Sequence, residues 1–401
     1  MTDSITLTPV GPAVLQCETD AGIATVPLTQ EVAFGSWQRG IPEEYWALGA
    51  EELTARIRAA RATLGSRAVI LGHHYQREDV IAFADERGDS FALAQYAAER
   101  PESEYIVFCG VHFMAEAADI LAAPHQRTIL PNLEAGCSMA DMASDPDVRQ
   151  AWRELGAHYG GTDDIIPVTY MNSAASLKAF CGEHGGIVCT SSNATKVLQW
   201  AFERGKRVFF FPDQHLGRNT AHNLGIPLEE MALYNWRLPA GQLGGVAPEA
   251  LDRARVILWQ GHCSVHQRFS LTQIEAARAK YPDVKIVVHP ECRFDVVQAA
   301  DANGSTAYIV KYVEQAPPGS VIGIGTEINL VSRLAHEHPD KTIFCLDPVV
   351  CPCSTMYRVH PAYLAWVMES LVRGEVVNRI EVPEETKRHA RVALERMLAL
   401  K

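Results

Sequence analysis

Three of the ten cysteines in this 401-residue sequence are followed directly by serine: Cys137, Cys263 and Cys353. Each Cys-Ser opens a helical run, serine favours the cap of a helix, and a thiol at a helix N-terminus is a better metal ligand because its pKa falls. Three thiolates without an evident fourth fit an iron–sulfur cluster with one iron left open to substrate, because a cluster that only carries electrons usually has four cysteine ligands. A three-cysteine zinc site and three unrelated buried thiols are the other readings that the spacing allows.

The same cysteines close a repeat. His73 ends an apolar run, Ser90 opens a helical pattern 17 residues on, and Cys137 follows after 47. His289, Thr306 and Cys353 repeat the spacings 17 and 47. Between them, Tyr170, Ser191 and Cys263 are spaced 21 and 72 apart, with most of the excess in an insert over 222–246. We read three copies of one unit of about 95 residues, too long for a solenoid and long enough for a whole α/β module.

Two sets of polar residues accompany the thiols. Ser90 in Gly-Asp-Ser, Ser191 in Cys-Thr-Ser-Ser-Asn and Thr306 in Gly-Ser-Thr bring hydroxyls to three predicted helix starts. Free N–H groups there cradle carboxylates and phosphate. His73-His74-Tyr75, Tyr170 with Asn172, and His289 with Glu291 add titratable groups from all three units, which acid–base chemistry on a small polar substrate requires.

The elements that must hold these residues are legible in the hydropathy. Apolar runs at 68–71, 105–108, 128–130, 165–169, 186–189, 207–211, 255–259, 284–288, 321–324 and 342–346 predict strands. Near-continuous Val, Ile and Phe runs alternating with helices predict parallel sheets buried on both faces. The expected class is α/β, three pseudo-symmetric three-layer α/β/α modules around one central site beyond the carboxyl ends of the strands. The expected divisions are an N-terminal extension packed on the body (1–66), modules at 67–164, 165–283 and 284–356, and C-terminal helices at 357–401.

A net charge of -12 without clustered Lys and Arg argues against a nucleic-acid partner. No apolar run is long enough to span a membrane, and residues 1–17 lack the pattern of a secretion signal, so a cytoplasmic location is expected.

The motifs His73-His-Tyr-Gln, Gly88-Asp-Ser, Gly136-Cys-Ser, Tyr170-Met-Asn-Ser, Thr190-Ser-Ser-Asn, Pro212-Asp-Gln-His-Leu-Gly, Trp259-Gln-Gly-His-Cys, His289-Pro-Glu, Gly304-Ser-Thr and Cys351-Pro-Cys occur in order over about residues 65 to 360. In these motifs the sequence resembles the quinolinate synthase A family, longer-chain type. The resemblance implies a transferase of de novo NAD biosynthesis that condenses iminosuccinate with dihydroxyacetone phosphate to quinolinate, phosphate and water. It implies one 4Fe-4S cluster per chain on Cys137, Cys263 and Cys353, its open iron a Lewis acid. It places His73, Ser90, Tyr170, Met171, Asn172, Ser191, His289, Pro290, Glu291 and Thr306 around the substrate, Met171 and Pro290 through backbone or packing.

Proton transfer is assigned to Glu291 and Tyr75, with His289 and His73 orienting. A transient contact with the imine-producing aspartate oxidase is a further expectation, with no nucleic acid and no membrane partner. The sequence departs from some members at His74 and around the last cysteine, which leaves Cys351 as a competing ligand. An iron–sulfur hydroxy-acid dehydratase and an inactive cluster-bearing sensor are the rival readings.

Overall fold

Apolar runs that a helix must cover on each side become the middle strands of three parallel sheets. The structure is a computed structural model and describes residues 40–349 and 352–400. The expected extension lies mostly outside the described residues, as does Cys351.

In the first sheet, β1 (Ala68–His73), β2 (Glu86–Gly88), β3 (Tyr105–Cys109) and β4 (Arg127–Ile129) stand in the order β4-β3-β1-β2, all parallel. The second holds β5 (Ile165–Tyr170), β6 (Ile187–Cys189), β7 (Arg207–Phe211), β8 (Met231–Tyr234) and β9 (Val256–Trp259) in the order β6-β5-β7-β9-β8. The third holds β10 (Lys285–Val288), β11 (Ala302–Asn303), β12 (Val321–Gly325) and β13 (Thr342–Cys345) in the order β11-β10-β12-β13. Within each unit the second strand lies on one side of the first, and the third and then the last lie on the other. The order is the same three times. The 222–246 insert supplies β8, an added parallel edge beside β9, so the excess spacing of the second unit is one more strand.

Burial follows the class. Every residue of β1, β3 and β5 is buried. In β10, Ile286 and Val288 belong to a core on one face of the sheet and Val287 to a core on the other. That is the three-layer sandwich, read from the two-residue period of a strand.

Four strands were not predicted: β2, β8, β11 and a final antiparallel strand, β14 (Arg379–Ile380), paired to β4. Glu86-Arg-Gly and Ala302-Asn carry no β preference, and neighbouring strands impose their conformation. The C-terminal helices close the body. Pro361–Val372 packs against Ala50–Leu64, and Glu384–Ala399 packs against Ala175–Glu183 of the second unit. The second pair approach so closely that a Cβ on Gly182 would lie 1.9 Å from the His389 carbonyl oxygen. The last helix also reaches the first unit through Lys387 Nζ, 3.0 Å from the buried Asp119 carboxylate.

Lys178, in Ala175–Glu183, is fully buried and donates to the Ser173 carbonyl under the Tyr170 turn. Burial lowers its ammonium to about 8, against the pull of Glu116 and Cys181. A depressed value means that the unfolded chain binds more protons between about pH 8 and 10.4, so this contribution to stability is present above that window and lost as pH falls through about 8. The urea-unfolding stability of the parent minus that of Lys178→Met should therefore rise with pH across the window, by roughly 3 kcal/mol at most. A flat difference would contradict a buried ammonium here.

Candidate active site

The carboxyl ends of β1, β5 and β10 meet at one pocket. His73 and Tyr170 are the last residues of β1 and β5, and His289 follows β10 directly. The pocket is lined by His73, Tyr75, Ser90, Tyr170, Asn172, Ser191, His289, Glu291, Thr306 and the three cysteines Cys137, Cys263 and Cys353. All three units contribute. Val111, Phe113, Met114, Met139, Val265 and Met356 form its apolar walls. Met171 and Pro290 stand behind, Met171 fully buried with its N–H on the Cys189 carbonyl and Pro290 offering its carbonyl to Asn219.

The hydroxyls at helix starts are not the caps. Asp89 caps Ser90–Ala98 by accepting the N–H groups of Phe91 and Ala92 at 3.0 and 2.9 Å. Ser305 caps Thr306–Gln315 through Tyr308 N–H at 3.3 Å. Ser90 and Thr306 are then the first helical residues. Among the described residues the buried Thr306 Oγ1 and Asn172 Oδ1 have no hydrogen-bond partner, and an unpaired buried polar atom in a pocket is what a bound ligand satisfies. Ser191 departs from expectation. It lies in a turn three residues before Ala194–Phe202, held by Asn193 Oδ1 accepting the Thr190 N–H at 2.8 Å, a side-chain turn that competes with helix formation.

The tautomers of the histidines follow from their neighbours. His73 Nδ1 accepts the Tyr75 N–H at 3.1 Å, and His289 Nδ1 accepts the Glu291 N–H at 3.4 Å. Burial pushes both imidazoles down, His289 to about 3 and His73 well below its ordinary value, so both are neutral. A neutral imidazole whose Nδ1 accepts carries its proton on Nε2, and both rings become donors.

Glu291 is the opposite case. Burial opposes its charge, but His289, His266 and the Tyr170 hydroxyl outweigh it and hold the carboxyl below its ordinary value. Tyr170 donates to Oε1 at 2.5 Å, and His266 Nδ1 lies 2.8 Å from Oε2. On its other side His266 Nε2 is 3.0 Å from Thr326 Oγ1, which is 2.6 Å from the Tyr75 hydroxyl. Burial raises both tyrosine hydroxyls well above their ordinary value, so both stay protonated. A continuous hydrogen-bonded chain thus runs Tyr75, Thr326, His266, Glu291, Tyr170.

His266, Thr326 and Glu327 were missed from sequence. His266 stands three residues after Cys263, and Thr326-Glu327 leaves β12 at its carboxyl end, the position that marked His73 and Tyr170 in their units. Glu327 Oε1 accepts the Cys353 N–H at 3.1 Å, and burial raises its carboxyl to about 7. His74 does not line this pocket, and its carbonyl accepts from Arg333.

The thiols differ from expectation in their local structure. Cys137 and Cys353 cap single turns, Ser138–Asp141 and Ser354–Tyr357, and Cys263 precedes a short 3-10 turn, His266–Arg268. Such turns do not lower the thiols. Burial pushes Cys137 up to about 12 and also raises Cys263 and Cys353, outweighing the backbone N–H groups of Met139 and Ala140, of His266, and of Thr355 and Met356. Thiols in such surroundings become thiolates on a positively charged metal centre. The described residues also include a group close enough to share one ion, Cys263, His266 and Glu291, with ligand atoms all within 4.8 Å. The three cysteines do not form a group of that spacing, whereas thiolates on one zinc lie about 4 Å apart, for bonds of about 2.3 Å. The three thiols line one pocket but stand outside the spacing of a single ion.

Comparison with known proteins gives a consistent result. The family model described as quinolinate synthetase A protein (NadA) matches residues 55–399. The chain is 61% identical to a quinolinate synthase of Corynebacterium glutamicum over 90% of this chain and 91% of the relative. It is 54% identical to one of Geobacillus thermodenitrificans, covering 90% of this chain and 96% of the relative. It is 56% identical to one of Streptomyces coelicolor, covering 87% and 88%.

Proposed function

This chain belongs to the quinolinate synthetase A family, and from that premise we propose that its pocket condenses iminosuccinate with dihydroxyacetone phosphate to quinolinate, phosphate and two waters, a transferase step of NAD biosynthesis. The observation that supports this most directly is the meeting, in one buried pocket, of thiols, neutral imidazoles and hydroxyls from three different sheets. A reaction that expels phosphate, joins two carbon skeletons and closes a C=N bond needs anion holders, donors to oxygen and a proton acceptor. Each is present.

Thr306, Ser90, Ser191 and Asn172 hold carboxylates and phosphate. His73 and His289 donate from Nε2 to carbonyl or carboxylate oxygens. Glu291 takes up a proton, and a relay along the chain through His266 and Thr326 replaces the proton that Tyr75 gives up to a departing oxygen. Apolar walls exclude water, which strengthens each of these contacts. Cys137, Cys263 and Cys353 would hold a 4Fe-4S cluster, whose open iron supplies Lewis acidity toward oxygen without redox change. We further propose a cytoplasmic location, and hand-over of the unstable imine by an aspartate oxidase. Among the described residues no helix is long and apolar enough to cross a membrane.

A second reading, a single ion on Cys263, His266 and Glu291, is favoured by their spacing alone. Purification without oxygen, iron and sulfide analysis and an assay for quinolinate separate the two. The proposal expects about four irons and four sulfides per chain with product formed, and one zinc with no visible absorbance would overturn the cluster.

Thr306→Ala gives a finer test. A hydrogen bond to a charged group is worth roughly 1.5 to 3 kcal/mol, so kcat/KM should fall about ten- to a hundredfold. The visible spectrum should be unchanged. Parent-like kinetics would make Thr306 an ordinary helix residue.

A further inference from the structure

The Pro212-Asp-Gln-His-Leu-Gly motif contributes nothing to the pocket lining, yet the helix it begins, Gln214–Asn223, packs on β7 and β9 of the second unit and on Phe294–Ala299 of the third. Its start is fixed by Asp213, fully buried, whose Oδ1 accepts the Leu216 N–H at 2.7 Å. His215 Nε2 lies 2.6 Å from Gln267 Oε1, and the Gln267 N–H donates to the Cys263 carbonyl. Farther along, the His222 ring packs edge-on against Phe294 of the third unit, 4.9 Å between centroids.

Asn219 lies between these contacts and is fully buried. Its Nδ2 donates to the Pro290 carbonyl at 2.8 Å and to the Cys292 carbonyl at 2.9 Å. Those two carbonyls flank one residue, Glu291. An amide nitrogen has two hydrogens, and both are used. Asn219 Oδ1 has no partner among the described residues, asparagine is a weak helix former in mid-helix, and a buried unpaired acceptor is costly. A residue kept for packing alone would be apolar. Pro290 lacks an N–H, so the turn lacks one of the backbone donors that could otherwise fix it.

We propose that Asn219 is the positioning residue for Glu291: by pinning the carbonyls on either side, it holds the carboxylate against Tyr170 and His266 in the geometry that proton transfer needs. The proposal rests on the role of Glu291 given above. Asn219 does not line the pocket and acts only through that turn.

The experiment is a double-mutant cycle in the holoenzyme. Asn219→Asp keeps the shape and removes the paired donors, and should lower kcat ten- to a hundredfold with KM within about threefold. In a Glu291→Gln background the same change should cost less than about twofold more, because the group it positions is already gone. Multiplied losses in the two backgrounds, or a parent-like kcat for Asn219→Asp, would overturn the proposal. Asn219→Ser, which keeps one donor, serves if the Asp variant does not fold; it should show a smaller loss in kcat and the same silence beside Glu291→Gln, and a parent-like kcat would again overturn it. Glu291→Gln alone keeps the two readings apart. If it is active, the role of Glu291 fails and the positioning role with it; if it is inactive while the Asn219 variants are silent, only the positioning role fails.

Discussion

Glu291→Gln should lose about a thousandfold in kcat while keeping the visible spectrum, with substrate affinity within a few-fold of the parent. The amide fills the same space and can still accept from Tyr170, so the pocket keeps its shape, but it cannot take up a proton at neutral pH. General acid–base catalysis contributes about 10²- to 10⁴-fold, and a thousandfold lies in the middle of that range. Neutral His73 and His289 cannot replace it, because each has Nδ1 occupied by a backbone N–H and presents only a donor to the pocket. Steady-state kinetics checks this directly, and activity within a few-fold of the parent would remove Glu291 from proton transfer.

The second large effect is expected at the last cysteine. Cys353→Ser should lose most of its iron and all measurable turnover, and Cys351→Ser should keep both. Cys353 lines the pocket, caps the Ser354–Tyr357 turn and has its N–H fixed on Glu327, so its backbone is anchored at the site. A serine hydroxyl there is a harder and far less acidic ligand. Iron and sulfide analysis with visible absorbance reads the result, and the reverse pattern would show that the third unit does not match the first at this point. Cys109, Cys181, Cys189 and Cys345 do not line the pocket, so changing each to Ala should leave the iron content intact.

Much of the fold was legible because strands buried on both faces must be continuously apolar. The ten predicted strands each appear within one or two residues of their expected ends. The spacing of 17 and 47 residues carried information because each unit has the same order of strands, so equal chain lengths return to equivalent points. The shorter strands could not be read. Glu86-Arg-Gly becomes β2 only because β1 offers it a parallel partner, Leu71 opposite Glu86.

The site divides along the same line. By itself the sequence determined which residues stand at the ends of the main strands and at the beginnings of helices, since hydrophobic period and chain count place His73, Tyr170, His289, Ser90 and Thr306 there. It could not determine what those residues meet. Position marks His266, three residues after Cys263, and Thr326, at the end of β12, but they matter because three sheets bring Glu291, Tyr75 and Tyr170 from separate units to within hydrogen-bond reach of them or of each other. Nor could it determine charge. A helix start favours a thiolate, and sequence position alone predicts that the three cysteines are acidic; burial among apolar walls reverses this, because the cost of removing a charge from water exceeds what a few backbone N–H groups return. Residue type is written in the chain, and protonation state is decided by what surrounds it.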